Sequence, residues 1–189
     1  ANELRGSVEV REGTLSLNTS NSFVNRPALS VTGGTFNVAG NQQQTFSTVT
    51  VSAGSVTASN SGSRILADAF MLAPDAGVEV AIHAAIDDAG GPATLLKTGA
   101  GKALLTAANT YTGLTTVEAG SLQLDGDSND IIVGGPNIAS PGGADLRGGK
   151  IIFDYAGTTN PLNEVLQVLT QGYASNYADF LPDKIRLKS

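Results

Sequence analysis

The chain has 189 residues, of which 41% are hydrophobic, 5% aromatic and only 15% charged, and it contains 23 Gly but neither Trp nor Cys. This length and apolar content suffice for one substantial core, and the lack of Cys excludes disulfides and thiolate sites. A net charge of −6 without a basic cluster disfavours nucleic acid and anionic lipid as partners. No apolar run approaches the roughly 18 residues of a spanning helix, so we expect no membrane insertion.

A glycine-centred pattern recurs from the first strand onward: an apolar residue, two small or polar residues, Gly, a small or polar residue, then two apolar residues separated by one position. Clear copies run over 10–17, 31–38, 51–58 and 117–124, and weaker ones over 76–80, 100–105 and 146–153. The central glycines are Gly13, Gly34, Gly54, Gly77, Gly101, Gly120 and Gly149. Their successive differences are 21, 20, 23, 24, 19 and 29 residues.

This spacing predicts one coil of a right-handed parallel β-helix per glycine. The strands beside each Gly alternate apolar and polar, so one face points inward, and Gly supplies a corner with positive φ or a close backbone approach. Stacked coils would bury a continuous apolar column. We predict an all-β solenoid of about seven to eight coils over residues 1–159. An antiparallel β-sandwich is the alternative, but it does not require the same octet in every coil; a leucine-rich repeat would need a Leu and Asn pattern that is missing.

Candidate catalytic groups are sparse. His83 is the only histidine and lies in an apolar strand, which favours a structural or outward-facing role over a zinc site or a triad. Asp87 and Asp88 precede Ala-Gly-Gly and indicate a corner. The sequence contains no nucleophile elbow or Walker loop. We expect no catalytic residues and no enzyme; a carbohydrate-active β-helix is the alternative if stacking aligns the scattered carboxylates.

The most specific stretch is residues 95–124, which read Leu-Leu-Lys-Thr-Gly-Ala-Gly-Lys-Ala-Leu-Leu, then Asn-Thr-Tyr-Thr-Gly, then Thr-Thr-Val-Glu-Ala-Gly-Ser-Leu-Gln-Leu. It resembles the autotransporter-associated β-strand repeat, also called the passenger-associated transport repeat. Ala103 departs mildly from that family's pattern. The resemblance implies an extracellular β-helix, of the kind found in autotransporter passengers and in large secreted planctomycete-type proteins. It brings no catalytic residues to this chain.

One metal candidate follows the repeat. Asp125, Asp127, Asn129 and Asp130 place alternating oxygen ligands as in the start of a calcium loop. However, Asp130 stands where the expected Gly would be, and Pro136 stands where the bidentate Glu would be. A solvated turn is the main interpretation, a weak calcium site the alternative, and no other cofactor is expected.

The C-terminal segment 160–189 is predicted to be a short helix followed by a strand-like tail. Asn160 suits the helix cap, Pro161 the first turn and Gly172 the end. Its apolar stripe would either cover the open end of the β-helix or dock on another subunit; the stripe consists of Leu162, Val165, Leu166 and Leu169. The N-terminus has no comparable cap, because Leu4 to Val10 enters the first strand almost at once.

These observations predict a secreted or cell-surface structural protein. An uncapped edge invites head-to-tail addition of identical chains into a filament, sheath or surface layer; excision from a longer β-helix would also explain a bare first coil. The alternative function is an adhesin or glycan-binding stalk in a larger secreted protein, with extracellular glycans as partners. No signal peptide is visible at Ala1, as expected of a processed chain or a fragment.

Overall fold

The computed structural model describes residues 6–125, 144–146, 150–154, 162–163 and 185–188, and nearly all of its regular structure is β-strand. All the strand pairs are parallel. The strands stack on three faces. Face 1 holds β1 (Val8–Val10), the first part of β3 (Leu29–Val38) and of β5 (Thr48–Ala58), β7 (Ala69–Leu72), β10 (Thr94–Lys97), β12 (Thr115–Val117) and β14 (Ala144–Leu146).

Face 2 follows the glycine of each coil. It holds β2 (Thr14–Leu17), the second parts of β3 and β5, β8 (Glu79–Ile82), β11 (Lys102–Leu105), β13 (Ser121–Asp125), β15 (Lys150–Asp154) and β16 (Ile185–Lys188). Face 3 is a smaller sheet of β4 (Gln43–Thr45), β6 (Arg64–Ala67) and β9 (Ala85–Asp88). The predicted all-β parallel solenoid is therefore confirmed.

The core is a column of equivalent side chains. In face 1, Leu29 aligns with Val49, Val49 with Phe70, and Phe70 with Leu95, and all four are buried. The alternation of apolar and polar residues in each strand produces this column, because successive side chains point to opposite faces. Burial along β5 and β10 follows that period of two.

The number of coils is smaller than the sequence predicted. The stack makes about six turns, where the glycine spacing predicted about seven to eight. The prediction counted at least one coil per glycine, but seven glycines delimit only six intervals, and the length of a turn varies along the stack. Val8 pairs with Leu29, a step of 21 residues, whereas Thr115 pairs with Ala144, a step of 29.

The described corner glycines follow two geometries. Gly13, Gly54, Gly77 and Gly120 have positive φ between 66° and 81°. A Cβ on Gly34 or Gly101, where φ is not positive, would lie 2.5 Å or less from a carbonyl oxygen of the preceding coil, and Gly54 and Gly120 combine positive φ with such a contact. Gly149 lies outside the described residues.

The predicted C-terminal cap falls mostly outside the described residues. Leu162 and Asn163 are helical and exposed, whereas Val165, Leu166 and Leu169 lie outside the described part, so the capping stripe stays a prediction. The strand-like tail is described in part: β16 pairs in parallel with β15, Ile185 opposite Ile151 and Leu187 opposite Phe153.

Candidate functional site

A buried lysine holds the corner between β10 and β11. Lys97 points inward at the end of β10 and is fully buried. Its Nζ donates to the backbone carbonyls of Thr98 (2.5 Å), Gly99 (2.9 Å) and Ala119 (3.1 Å), the last of which belongs to the next coil. Burial lowers the pKa of Lys97 to about 8, since desolvation disfavours the charged form. The lysine therefore ties two coils together from inside.

Two further signature residues of the segment are buried on the opposite side of the same coil. The side-chain amide oxygen Oδ1 of Asn109 accepts a hydrogen bond from the Ile86 backbone N–H at 3.0 Å. The hydroxyls of Tyr111 and Thr115 share a hydrogen bond of 2.8 Å. Burial raises the pKa of Tyr111, and the hydrogen bond from Thr115 opposes that shift. The ring of Tyr111 lies 6.5 Å from that of Phe70, so this segment packs directly on the coil before it.

Asp88 is a carboxylate clamp at the end of β9. Its Oδ1 accepts from the backbone N–H groups of Ala93 (2.8 Å) and Thr112 (2.9 Å), and its Oδ2 accepts from the Thr112 hydroxyl (2.6 Å). Desolvation raises the pKa of this carboxyl, but the three hydrogen bonds outweigh it and hold the pKa below its usual value. At this corner, Asp88 therefore links its own coil to the next one through its hydrogen bonds with Thr112.

The Asp88 clamp makes part of the folding stability dependent on pH. Because the folded pKa lies below the unfolded value of 3.8, the stabilisation is complete above that value and is lost as the pH falls through the folded pKa. We expect Asp88→Asn to lower the free energy of unfolding by about 1–3 kcal/mol at pH 7, and the gap from wild type to shrink toward pH 3 in urea titrations. Asp68→Asn, in an exposed ion pair, is the control and should cost under about 1 kcal/mol. A gap independent of pH would contradict the clamp.

The outer surface of face 2 is uncharged over the first three coils. Residues 13–63 contain a single charged side chain, that of Arg26. Six outward side chains with hydroxyl or amide groups stand in two parallel rows, and we call them the polar face: Thr14, Thr35 and Ser55 in one row, Ser16, Asn37 and Thr57 in the other.

Hydrogen bonds fix the polar face from coil to coil. The Asn37 amide donates to the Ser16 hydroxyl at 2.9 Å and accepts from the Thr57 hydroxyl at 2.9 Å, while the hydroxyls of Thr35 and Ser55 lie 3.2 Å apart. Each hydroxyl carries one donor and two acceptor sites, so this ladder leaves hydrogen-bonding capacity toward solvent. The result is an uncharged surface whose polar groups are held in place by hydrogen bonds between coils.

Ion pairs also bridge the coils. Lys102 pairs with Glu79 at 2.8 Å and lies in register with it in the ladder of β11 and β8. Arg64 pairs with Asp87 at 2.8 Å and Arg26 with Asp68 at 2.7 Å. Because these groups are partly solvated, each pair contributes little stability, about 0–1 kcal/mol. These three pairs engage six of the acidic and basic groups that a reaction centre would need free.

The predicted metal and catalytic candidates do not come together in the described part of the chain. No group of three or more His, Asp and Glu side chains there is placed to hold a metal ion. Asp125 ends β13, while Asp127, Asn129 and Asp130 lie outside the described residues, so the calcium alternative stays a prediction. His83 is exposed, with its Nδ1 2.8 Å from the Thr106 hydroxyl. None of the described helices could span a membrane.

The described strands and corners define a parallel β-solenoid. Residues 95–124 match the sequence family described as Passenger-associated-transport-repeat. Over 75 residues the chain is 39% identical to a protein named adhesin BmaC autotransporter from Brucella suis biovar 1 (strain 1330). That match covers 38% of this chain and 2% of the Brucella protein. No solved structure matches the chain.

The chain therefore contains a passenger-associated transport repeat, as the resemblance indicated. The structure explains the role of three signature residues. Lys97 donates hydrogen bonds to carbonyls of two coils, and Asn109 accepts one from a buried backbone N–H. The ring of Tyr111 is completely buried in the core. The sequence reasoning missed the burial of Lys97. The one signal for it was the alternation Leu95, Leu96, Lys97, which places the lysine on the inward side with Leu95.

Proposed function

We propose that this chain is a non-enzymatic, adhesin-like module within the passenger region of a longer secreted or cell-surface protein. The observation that carries the proposal is the passenger-associated transport repeat at residues 95–124, integrated into a continuous solenoid. The similarity to a protein named as an autotransporter adhesin supports it.

The distribution of charged groups supports a non-enzymatic role. Hydrolases and lyases need carboxylates that converge on one bond, with an acid or base poised beside them. Here Glu79, Asp87 and Asp68 each pair with a cation of another strand or loop, and Asp88 is occupied by three backbone and side-chain donors. These acids act as links between coils.

The polar face is the surface that we propose for adhesion, with an uncharged extracellular polysaccharide as the partner. Its rows offer hydroxyl and amide groups at about 4.8 Å from coil to coil, and residues 13–63, which form these coils, contain a single charged side chain. A neutral, hydroxyl-rich chain lying along the stack would meet one hydrogen-bonding pair per coil, whereas a charged glycan would lose hydration without gaining an ion pair.

Two lysine substitutions in the same strand test this assignment. Ser55→Lys places a charge at the end of one row of the polar face, beside Thr35. Thr50→Lys is the matched control on face 1, where Thr50 points outward between the buried Val49 and Val51. We expect binding to an immobilised uncharged glucan, measured by biolayer interferometry, to fall at least about tenfold for Ser55→Lys and to stay unchanged for Thr50→Lys.

Three results would contradict the assignment. They are an equal loss of glucan binding in both variants, stronger binding of the wild type to a carboxylated glycan than to the uncharged glucan, and no glucan binding by the wild type at millimolar concentration. Circular dichroism and thermal unfolding of both variants would establish that the solenoid is retained.

A second candidate function is a building block that self-associates head to tail into a filament or surface layer. The observation that favours it is the outer edge of β1 and β2, which pair only with β3 within the described residues. Exposed strand edges are templates for pairing with another chain. Electron microscopy of the native chain should then show rods that lengthen with concentration; short rods of constant length would contradict it.

A further inference from the structure

We infer that the glycan bound by this solenoid is an uncharged, N-acetylated polysaccharide, whose acetamido groups are recognised by a patch that continues the polar face into the next two coils. This inference rests on the proposed glycan binding and names the class of glycan. We call the surface the amphipathic patch; it consists of His83 and Thr106 in one outward row and of Ala81 and Leu104 in the other.

The amphipathic patch is in register with the polar face. Ser55 pairs with Ala81, and Ala81 pairs with Leu104, so one row passes from hydroxyl groups to apolar side chains. In the other row, His83 follows Thr57 in the same register. The strands β8 and β11 each have a parallel neighbour on both sides. The patch is therefore a lateral surface in the middle of the stack, which the addition of further coils would leave open.

The polar row of the patch offers an oriented hydrogen-bonding group. His83 is exposed, and its Nδ1 lies 2.8 Å from the Thr106 hydroxyl, which orients the ring and leaves Nε2 for a ligand. In a neutral imidazole one nitrogen donates and the other accepts. An amide carries both an N–H and a C=O, so it can bind to Nε2 in either tautomer of His83.

The apolar row lies beside that group. Ala81 and Leu104 alternate with buried residues of β8 and β11 and are themselves only partly buried. Positions two residues apart in a strand are about 6.6 Å apart, so a small group lying over the sheet can reach both rows. An acetamido group carries its amide and its methyl side by side, whereas a plain hydroxyl has no apolar part to cover Leu104. The patch therefore matches an acetamido substituent better than a hydroxyl.

The charges beside the patch favour an uncharged sugar. Glu79 and Lys102 lie two positions before Ala81 and Leu104 and pair with each other at 2.8 Å, so together they carry no net charge. A carboxylated or free amino sugar bound here would lose hydration and would gain an ion pair only by breaking the existing one. An N-acetylated sugar avoids both costs.

Two glycan hexamers that differ in one substituent measure this recognition. They are the hexamers of glucose and of N-acetylglucosamine with the same linkage, in which an acetamido group replaces a hydroxyl. In isothermal titration calorimetry, we expect the wild type to bind the acetylated hexamer at least about tenfold more tightly than the glucose hexamer. Leu104→Ser should lower that ratio at least about threefold without weakening the binding of the glucose hexamer.

Three further variants keep the test specific. Leu96→Ser is the matched control, because Leu96 is an outward, partly buried leucine on face 1, and it should leave the ratio unchanged. Ala81→Ser makes a smaller exchange in the same row as Leu104 and should lower the ratio at least about twofold, which keeps the test open if Leu104→Ser does not fold. His83→Ala should also lower the ratio.

The possible failures separate the patch from the polar face. Equal binding of the two hexamers by the wild type, an unchanged ratio in both Leu104→Ser and Ala81→Ser, or the same loss in Leu96→Ser would overturn the inference. Equal binding of both hexamers that Ser55→Lys weakens would overturn the role of the patch and leave adhesion through the polar face intact. If the wild type bound neither hexamer, both proposals would be overturned.

Discussion

Gly54→Ala is expected to destabilise the solenoid by more than about 4 kcal/mol, while Gly77→Ala should cost only about 1–2 kcal/mol. Both glycines have nearly the same positive φ, 81° and 80°, so the strain of a left-handed alanine is common to both. They differ in what a Cβ would meet. At Gly54 it would lie 2.1 Å from the Gly34 carbonyl oxygen of the preceding coil, whereas at Gly77 nothing lies within 4 Å.

Urea unfolding followed by circular dichroism measures this difference directly. The matched φ makes Gly77→Ala the control for backbone strain, so the excess loss at Gly54 reports the close contact between coils. Similar losses for the two variants would mean that the corner of the third coil can move away from the second, contrary to the tight stacking of β3 and β5.

Tyr111→Ala should cost about 3–5 kcal/mol, because it removes a completely buried ring that packs 6.5 Å from Phe70. Tyr111→Phe keeps the ring and removes only the hydroxyl, which leaves the buried Thr115 hydroxyl without this 2.8 Å partner. We expect a loss of about 1–2 kcal/mol for that variant.

The comparison separates packing from hydrogen bonding at the signature tyrosine. If Tyr111→Phe were as damaging as Tyr111→Ala in thermal and urea unfolding, the hydroxyl bond to Thr115 would be the main contribution and the ring a minor one. A small loss in both variants would place Tyr111 outside the cooperative core.

The proposed polar face could be predicted from the sequence only in part. The uncharged stretch around residues 13–63 is visible in the composition, but its organisation into two rows is not. Ser16 meets Asn37, and Asn37 meets Thr57, only because one coil is 21 residues long and the next 20. Inserting or deleting one residue in either coil would shift the register and turn the side chains of this row toward the core.

The glycine spacing and the alternation of apolar residues determined the parallel solenoid, because both are local consequences of strand pleat and corner geometry. They determined the coil count only approximately, because the length of a turn varies from 20 residues between Leu95 and Thr115 to 29 residues between Thr115 and Ala144. Face 3 was also missed, because Gln43–Thr45 and Arg64–Ala67 follow their corners without the glycine octet.

The roles of individual polar residues were decided by the tertiary structure alone. From the sequence alone, Lys97 is expected to lie at the surface, where water solvates its ammonium group. In the folded chain the Ala119 carbonyl of the next coil gives that group a hydrogen-bond partner in the interior. Likewise, Asp88 becomes a clamp only when the chain returns one coil later with Thr112. The recurring residues can be read from the sequence. The contacts between coils depend on how many residues each coil contains between register partners, and the packing of the whole stack decides which residues become partners.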